Sequence, residues 1–223
     1  MEMMVVVAAV AVVVGMTFAV ARRQKQQWQA STTIQDVRGL LAQARAAALS
    51  SGRDVAVLVF PDQVTGDGGR GRFVVYRDTA GTFFNATAPI NFDGWDPAVY
   101  AGYPAGVPEG DLLDVVDLAL GVHVGPTTGQ GTGKALPAPI AVRLDADCTF
   151  CSTATPRRGA VVFDYAGRAR FYSGNGTPLV TGTSGIGPGG SVSLISDLEP
   201  GEVRSVAVTA ASGALQILNY KLP

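Results

Sequence analysis

Residues 1–21 read MEMMVVVAAVAVVVGMTFAVA, and from Met3 to Ala21 the run holds 19 consecutive residues without a charge. Glu2 stands in front of it, and Arg22, Arg23 and Lys25 follow. At ~1.5 Å per residue such a helix is ~28 Å long, close to the ~30 Å hydrocarbon core of a bilayer. The run therefore predicts a membrane-spanning rod. Helical character continues beyond it, because Ile34, Val37, Leu41, Ala44 and Ala48 follow 3-4-3-4 spacing and form one apolar stripe. No proline interrupts residues 1–60, and Ser50-Ser51-Gly52 supplies a stop, with Gly52 as the left-handed cap. The pattern predicts one helix from about Met3 to Ser51, ~70 Å long. Its first half is apolar all round, and its second half offers one face to a sheet. Trp28 lies just past the cationic cluster, where an amphipathic aromatic suits a membrane–water boundary.

A cleavable signal peptide is the alternative for this segment. Ala19-Val20-Ala21 imitates a cleavage site, but no Lys or Arg precedes the run and its core is longer than that of the usual signal. Arg22 and Arg23 would also favour a cytoplasmic C-terminal side, which is awkward for a simple anchor. What remains is about 200 residues, enough for one domain with a real core. A formal net charge of −1 with one His argues against binding nucleic acid or a membrane surface by bulk charge. The 28 glycines and 13 prolines, nearly all beyond residue 50, suit short strands joined by turns.

Strands are expected where the period changes to two. Asp54–Phe60 and Arg72–Arg77 flank a long hairpin-type loop, and residues 78–110 read as an irregular, partly buried excursion rich in aromatics. Leu112–Leu118, Val122–Val124 and Ile140–Leu144 are weaker strands, with a loop over 125–139. Gly159–Asp164 and Arg168–Tyr172 form a hairpin, as do Val203–Thr209 and Ala214–Tyr220, with Ser191–Ile195 between them. The expected fold class is α+β: one long N-terminal helix, its first half membrane-spanning, packed against a C-terminal antiparallel β-domain of two small sheets. The divisions are 1–23 for the membrane or filament-core half of the helix, 24–52 for its amphipathic half, and 53–223 for the β-rich domain.

At this point the residues resemble a known family. Glu2-Met3-Met4-Val5-Val6-Val7-Ala8 is similar to the start of mature type IV pilins and pseudopilins, with Glu2 on the family's glutamate. LLAQARAAALSSGRDVAVLVF (40–60), RGAVVFDYAGRARFY (158–172) and VRSVAVTAASGALQI (203–217) resemble the GspH/FimT type of minor pilin and pseudopilin. Family members carry a short basic leader ending in Gly and then Phe, Thr and Leu. None of these precedes Glu2 here, which suggests a late start at Met1, and a basic leader upstream would resolve the orientation of the charges. The resemblance implies a non-enzymatic structural subunit of a type IV pilus or type II secretion pseudopilus, acting in filament initiation or tip assembly. It implies an inner-membrane helix before assembly, a periplasmic domain, and partnership with other major and minor pilins or pseudopilins through that helix. Prepilin peptidase would be a further partner if a leader exists upstream. In the family the carboxylate at the position of Glu2 pairs with a neighbouring subunit's N-terminal amine, whereas the plain reading is a polar flank helped by the helix dipole.

The remaining motifs each have a bland reading. Cys148 and Cys151 are the only cysteines, open to a redox pair, half of a zinc site or a structural disulfide. Zinc needs four ligands and His123 is the single histidine, so a disulfide pinning one turn is the expectation. GQGTGK (129–134) has Thr128 and Ala135 where a phosphate loop needs Gly and Ser or Thr. No nucleophile elbow accompanies His123, so neither enzyme activity nor a cofactor is expected. Arg143, Arg157, Arg158, Arg168 and Arg170 could form a basic patch for DNA, since some relatives of this type take up DNA. Ordinary solvated strand arginines offset by Asp145, Asp147 and Asp164 are the plainer reading. The alternatives to a pilin subunit are accordingly a DNA-binding minor pilin and a secreted β-domain with a cleaved signal.

Overall fold

The computed structural model of the protein describes residues 2–66, 68–79, 81, 92, 111–125, 147–153, 155–179 and 189–221, and every absence stated below refers to these. Helix α1 runs from Glu2–Ser51, 50 residues or ~75 Å. It ends where the sequence supplies a residue that tolerates the left-handed region. Gly52 sits at φ 63°, and its N–H donates to the Ala48 carbonyl at 3.0 Å, which closes the last turn. Ile34, Val37, Leu41, Ala44 and Ala48 are all at most 2% exposed. Ala30, Leu40 and Thr33 join that stripe, and the Thr33 hydroxyl donates back to the Gln29 carbonyl at 2.7 Å, which satisfies it without an outside partner. Packing starts at Ala30; the described helix residues before it are exposed or half-buried.

Nine strands follow: β1 Val55–Val64, β2 Arg70–Arg77, β3 Asp111–Asp117, β4 Val122–Val124, β5 Gly159–Phe163, β6 Ala169–Ser173, β7 Gly189–Ser196, β8 Glu199–Thr209 and β9 Leu215–Lys221. Their order is β6-β5-β1-β2-β4-β7-β8-β9, with β3 also on β2. Central β1 explains its own unbroken apolar sequence. Val55, Val57 and Val59 face the helix together with Phe73, Val75, Phe163 and Phe171. Ala56, Leu58 and Phe60 face the other way into a second cluster with Val74, Tyr76, Val162 and Phe92. A strand buried on both faces has no polar alternation.

The structure overturns two parts of the expected architecture. The β-domain is not two small sheets but one nine-stranded sheet. The link is β4, which pairs antiparallel with β7 and joins β2 through a single parallel pair, Arg70↔His123. So short a strand carries too little periodicity to reveal which neighbours it joins. The second correction concerns the membrane-spanning first half: no helix among the described residues is long and apolar enough to cross a membrane.

Smaller differences have local causes. β1 runs past Phe60 to Val64, but Pro61 has no N–H, and the pairing with β2 shifts register between Phe60 and Val64. β8 starts at Glu199, four residues before the expected Val203, with a register shift at Ile195/Ser196. The expected strand Ile140–Leu144 lies outside the described residues, as do nearly all of the loops 78–110 and 125–139 and the GQGTGK segment. From the first of these loops Phe92 is placed, fully buried.

Candidate functional site

The most unusual surface is the half of α1 that the sheet leaves uncovered. Val10, Val12, Val13, Val14, Met16 and Val20 are each 56–67% exposed. Their sequence spacing spreads them over about 200° of the helix circumference, and the small, exposed Ala11 and Gly15 lie on the rest. Large apolar side chains gathered on one exposed element mark an interaction surface. Glu2 opens the same helix, and its side chain lies outside the described set.

The Cys148-Thr149-Phe150-Cys151 turn is closed by a disulfide with S–S 2.01 Å and Cα–Cα 5.3 Å. The turn is stitched to β7, where the Thr149 N–H donates to the Ser191 carbonyl at 3.0 Å and the Ser193 N–H to the Asp147 carbonyl at 2.8 Å. The Ser191 N–H in turn donates to the Thr149 hydroxyl at 2.8 Å. Phe150 inserts into the core, fully buried, with its ring 5.4 Å from that of Phe171. Glycines make the room: a Cβ on Gly159 or Gly190 would come within 2.9 Å of the Phe150 ring. The two sulfurs thus hold a plug. No group of three or more His, Cys, Asp and Glu side chains that could hold a metal exists among the described residues.

The arginines are engaged internally. Arg157 forms ion pairs with Asp62 at 2.6 Å and with Asp147. Burial alone would raise the Asp62 carboxyl, but hydrogen bonds from the Arg157 guanidinium and amide outweigh it and hold the group below its ordinary range. Arg158 is buried; it donates to the Phe92 carbonyl at 2.5 Å and stacks 5.3 Å from the Phe60 ring centroid. Arg168 pairs with Asp164 at 2.8 Å. Burial again acts to raise that acid, and hydrogen bonds from the Arg168 amide and guanidinium prevail and lower it. Arg170 pairs with Asp54, where burial wins and raises the carboxyl despite the arginine. Arg143 lies outside the described residues. Each of the four described arginines is therefore held by an acid or a carbonyl.

His123 sits on β4, with Nδ1 3.1 Å from Asp197 Oδ1. Burial pushes its pKa down; Asp197 opposes this and Arg70 adds to it. No nucleophile accompanies the pair in the surrounding pocket of Gly68, Arg70, Gly121, Val122, His123 and Asp197.

One feature lies outside every motif in the sequence. Where α1 first meets the sheet, Trp28, Ser31 and Thr32 face Glu199, Glu202 and Arg204 at the start of β8 across a groove of about 570 Å³. Trp28 is 71% exposed. Its position next to a cationic cluster was a sequence signal, but the acids that face it are some 170 residues away and gave none.

No family model matches the chain, and no curated protein does. Among solved structures the chain is similar to the minor pseudopilin EpsH from the Type 2 Secretion System of Vibrio cholerae. The identity is 14%, over 85% of this chain and 96% of that one, with a TM-score of 0.40. The likeness is one of arrangement, too loose to assign a role.

Proposed function

We propose that this chain is a non-enzymatic structural subunit of a pilin-like assembly, of the minor pilin or pseudopilin kind, working at filament initiation or at the tip. The observation that carries the reading is the division of α1 at Ala30. Beyond it the apolar stripe is covered by the sheet, and before it Val10 to Val20 stand exposed around the helix. An apolar rod on a finished, well-packed body has its use in other molecules' helices, because burial is what such side chains lack. The sequence resemblance at residues 2–8, 40–60, 158–172 and 203–217 gives those helices their kind: the α1 segments of equivalent subunits. The disulfide fits a body held in an oxidising compartment such as the periplasm.

A photocrosslinking side chain placed at Val13 or Met16 in the full chain, activated in the producing cells, tests the assembly role. The expected adducts join that position to the N-terminal helix of another copy or of a related subunit. Absence of helix-to-helix adducts at both positions would refute the proposal.

A further inference from the structure

We propose that the outer edge of β9 takes up an extended segment of a partner protein as an added strand, with acidic side chains of that segment seated between Arg38 and Arg45 of α1. β9 is the last strand of the sheet on its side, so one row of its backbone N–H and C=O groups faces outward. The β8–β9 turn decides which groups these are. The Thr209 N–H donates to the Ala214 carbonyl at 3.0 Å, and the pairing runs on without a register shift to Glu202↔Lys221. Hydrogen-bonded pairs alternate along an antiparallel ladder. Gln216, Leu218 and Tyr220 therefore bond to β8, and the backbone groups of Leu215, Ile217 and Asn219 point away from it. Protected edges carry a proline, a bulge or an inward-pointing charge; residues 215–219 have none of these. Main-chain hydrogen bonding to such an edge is a general mode of peptide recognition.

The groove beside that edge sets the chemistry of the segment. Where β9 begins, a space of about 590 Å³ opens between Leu215 and the helix residues Arg38, Gly39, Ala42, Arg45 and Ala46. Leu215 and Ile217 turn their side chains toward the helix side of the sheet, so alternate side chains of an added strand point the same way, into this space. Its floor is low, because a Cβ on Gly39 would meet nothing within 4 Å. The charges of the lining are both positive, Arg38 and Arg45, and neither forms an ion pair among the described residues. Arg45 Nε donates to the Gly167 carbonyl at 3.3 Å, which leaves its other N–H groups for a ligand. Asp36 is the one acid of α1 besides Glu2, and at 100° per residue it lies about 160–180° around the axis from both arginines. At the far end of β9, Glu202 and Lys221 stand opposite one another, one charge of each sign. Arg38 and Arg45 are seven residues apart on one face, about 10 Å, so a carboxylate entering between them is within reach of both long side chains. Such charge-assisted hydrogen bonds favour an acidic segment, and a basic one is repelled. The edge supplies affinity and the arginines choose the occupant.

Titration of the full chain in a nonionic detergent with short, blocked synthetic peptides tests this. The probe alternates valine and threonine and carries glutamate at both ends, since either strand direction satisfies the edge. Binding is read from the anisotropy of the labelled peptide and from amide hydrogen exchange in the chain. Saturable binding is expected, with slowed exchange at Leu215, Ile217 and Asn219. The same peptide with every amide N-methylated is expected not to bind, because it has no donor for the edge. Replacing the glutamates of the probe by lysine, or Arg38→Glu with Arg45→Glu in the chain, is expected to weaken binding about tenfold or more. Lysine-ended peptide and charge-reversed chain together are expected to recover it. Ala42→Phe, at an exposed position, fills the groove without touching the core and is expected to weaken binding on the same scale; the sheet's circular dichroism is the folding control. No binding to the native chain, equal binding of the N-methylated peptide, or equal binding of the lysine-ended peptide overturns the proposal. Binding to phosphatidylglycerol vesicles without peptide binding also overturns it and assigns the arginines to a lipid surface. These readouts are separate from helix adducts at Val13 and Met16, so failure of either proposal leaves the other standing.

Discussion

The Cys148–Cys151 turn allows its covalent and its packing contributions to be separated. Replacing Phe150 with Ala empties a fully buried site in contact with Phe171, and such truncations cost about 3–5 kcal/mol. Relaxation is limited because Gly159 and Gly190 present bare backbone to the ring and cannot swing a side chain into the space. Replacing both cysteines with Ser opens a ring of four residues, for which the chain-entropy estimate is about 2 kcal/mol. The hydrogen bonds of Thr149 and Asp147 to β7 remain in that variant. Phe150→Ala is therefore expected to cost about twice as much as the double cysteine variant, ~4 against ~2 kcal/mol. Urea unfolding of the full chain, followed through the sheet's circular dichroism, measures both, provided the denaturant slope stays constant across the variants. A double cysteine variant that loses as much as Phe150→Ala, or more, would show that the ring rather than the plug holds the turn. That would refute the reasoning.

Two further outcomes follow from named groups. His123 has a pKa below its ordinary ~6.5 in the folded chain, so on acidification the unfolded state takes up the proton first. Stability is expected to fall as pH drops through ~6.5 and to level off below the folded value. Asp62 and Asp164 are lowered, and they add a second decline below pH ~4. A His123→Gln variant should lose the first decline and keep the second, as read from urea midpoints across pH. Gly213 sits at φ 59° in the β8–β9 turn, and a Cβ there would meet the Gly167 carbonyl oxygen at 2.2 Å. Gly213→Ala is thus expected to cost ~2 kcal/mol or more, a fall of roughly 4–8 °C in Tm. Gly201→Ala, with nothing within 4 Å, should leave Tm nearly unchanged, and an equal fall in both would refute the clash.

What could be read from the sequence was local. The stripe Ile34–Ala48 announces itself by its period, and the β5–β6 and β8–β9 hairpins by Gly167 and Gly213, both at positive φ. What stayed hidden depends on separation along the chain. In sequence, the acids near the arginines of the middle hairpin are Asp145, Asp147 and Asp164. Two of the arginines' actual partners are Asp62, 95 residues from Arg157, and Asp54, 116 residues from Arg170. The single sheet hangs on one pair between β2 and β4, and no periodicity encodes such a junction. In CTFC the cysteines are the conspicuous residues, while the phenylalanine between them is fully buried in the core.

The two halves of α1 state two different requirements. The stripe from Ala30 to Ala48 has one face, and one sheet satisfies it within the chain. The exposed half has a much broader apolar face: at 100° per residue, Val10, Val12, Val13, Val14, Met16 and Val20 span about 200° of the circumference, and the uncharged Ala11 and Gly15 occupy the rest. Full burial of a Val or Met side chain is worth about 1.5–3 kcal/mol. These six are already partly covered by the helix itself, so completing their burial adds roughly 1 kcal/mol each, on the order of 5 kcal/mol together. Association costs about 4–15 kcal/mol in lost freedom. Complete burial of these six therefore reaches only the low end of that cost, so the surface the neighbours themselves bury must supply the rest. A rod apolar on all sides nevertheless leaves its neighbours free to slide along it.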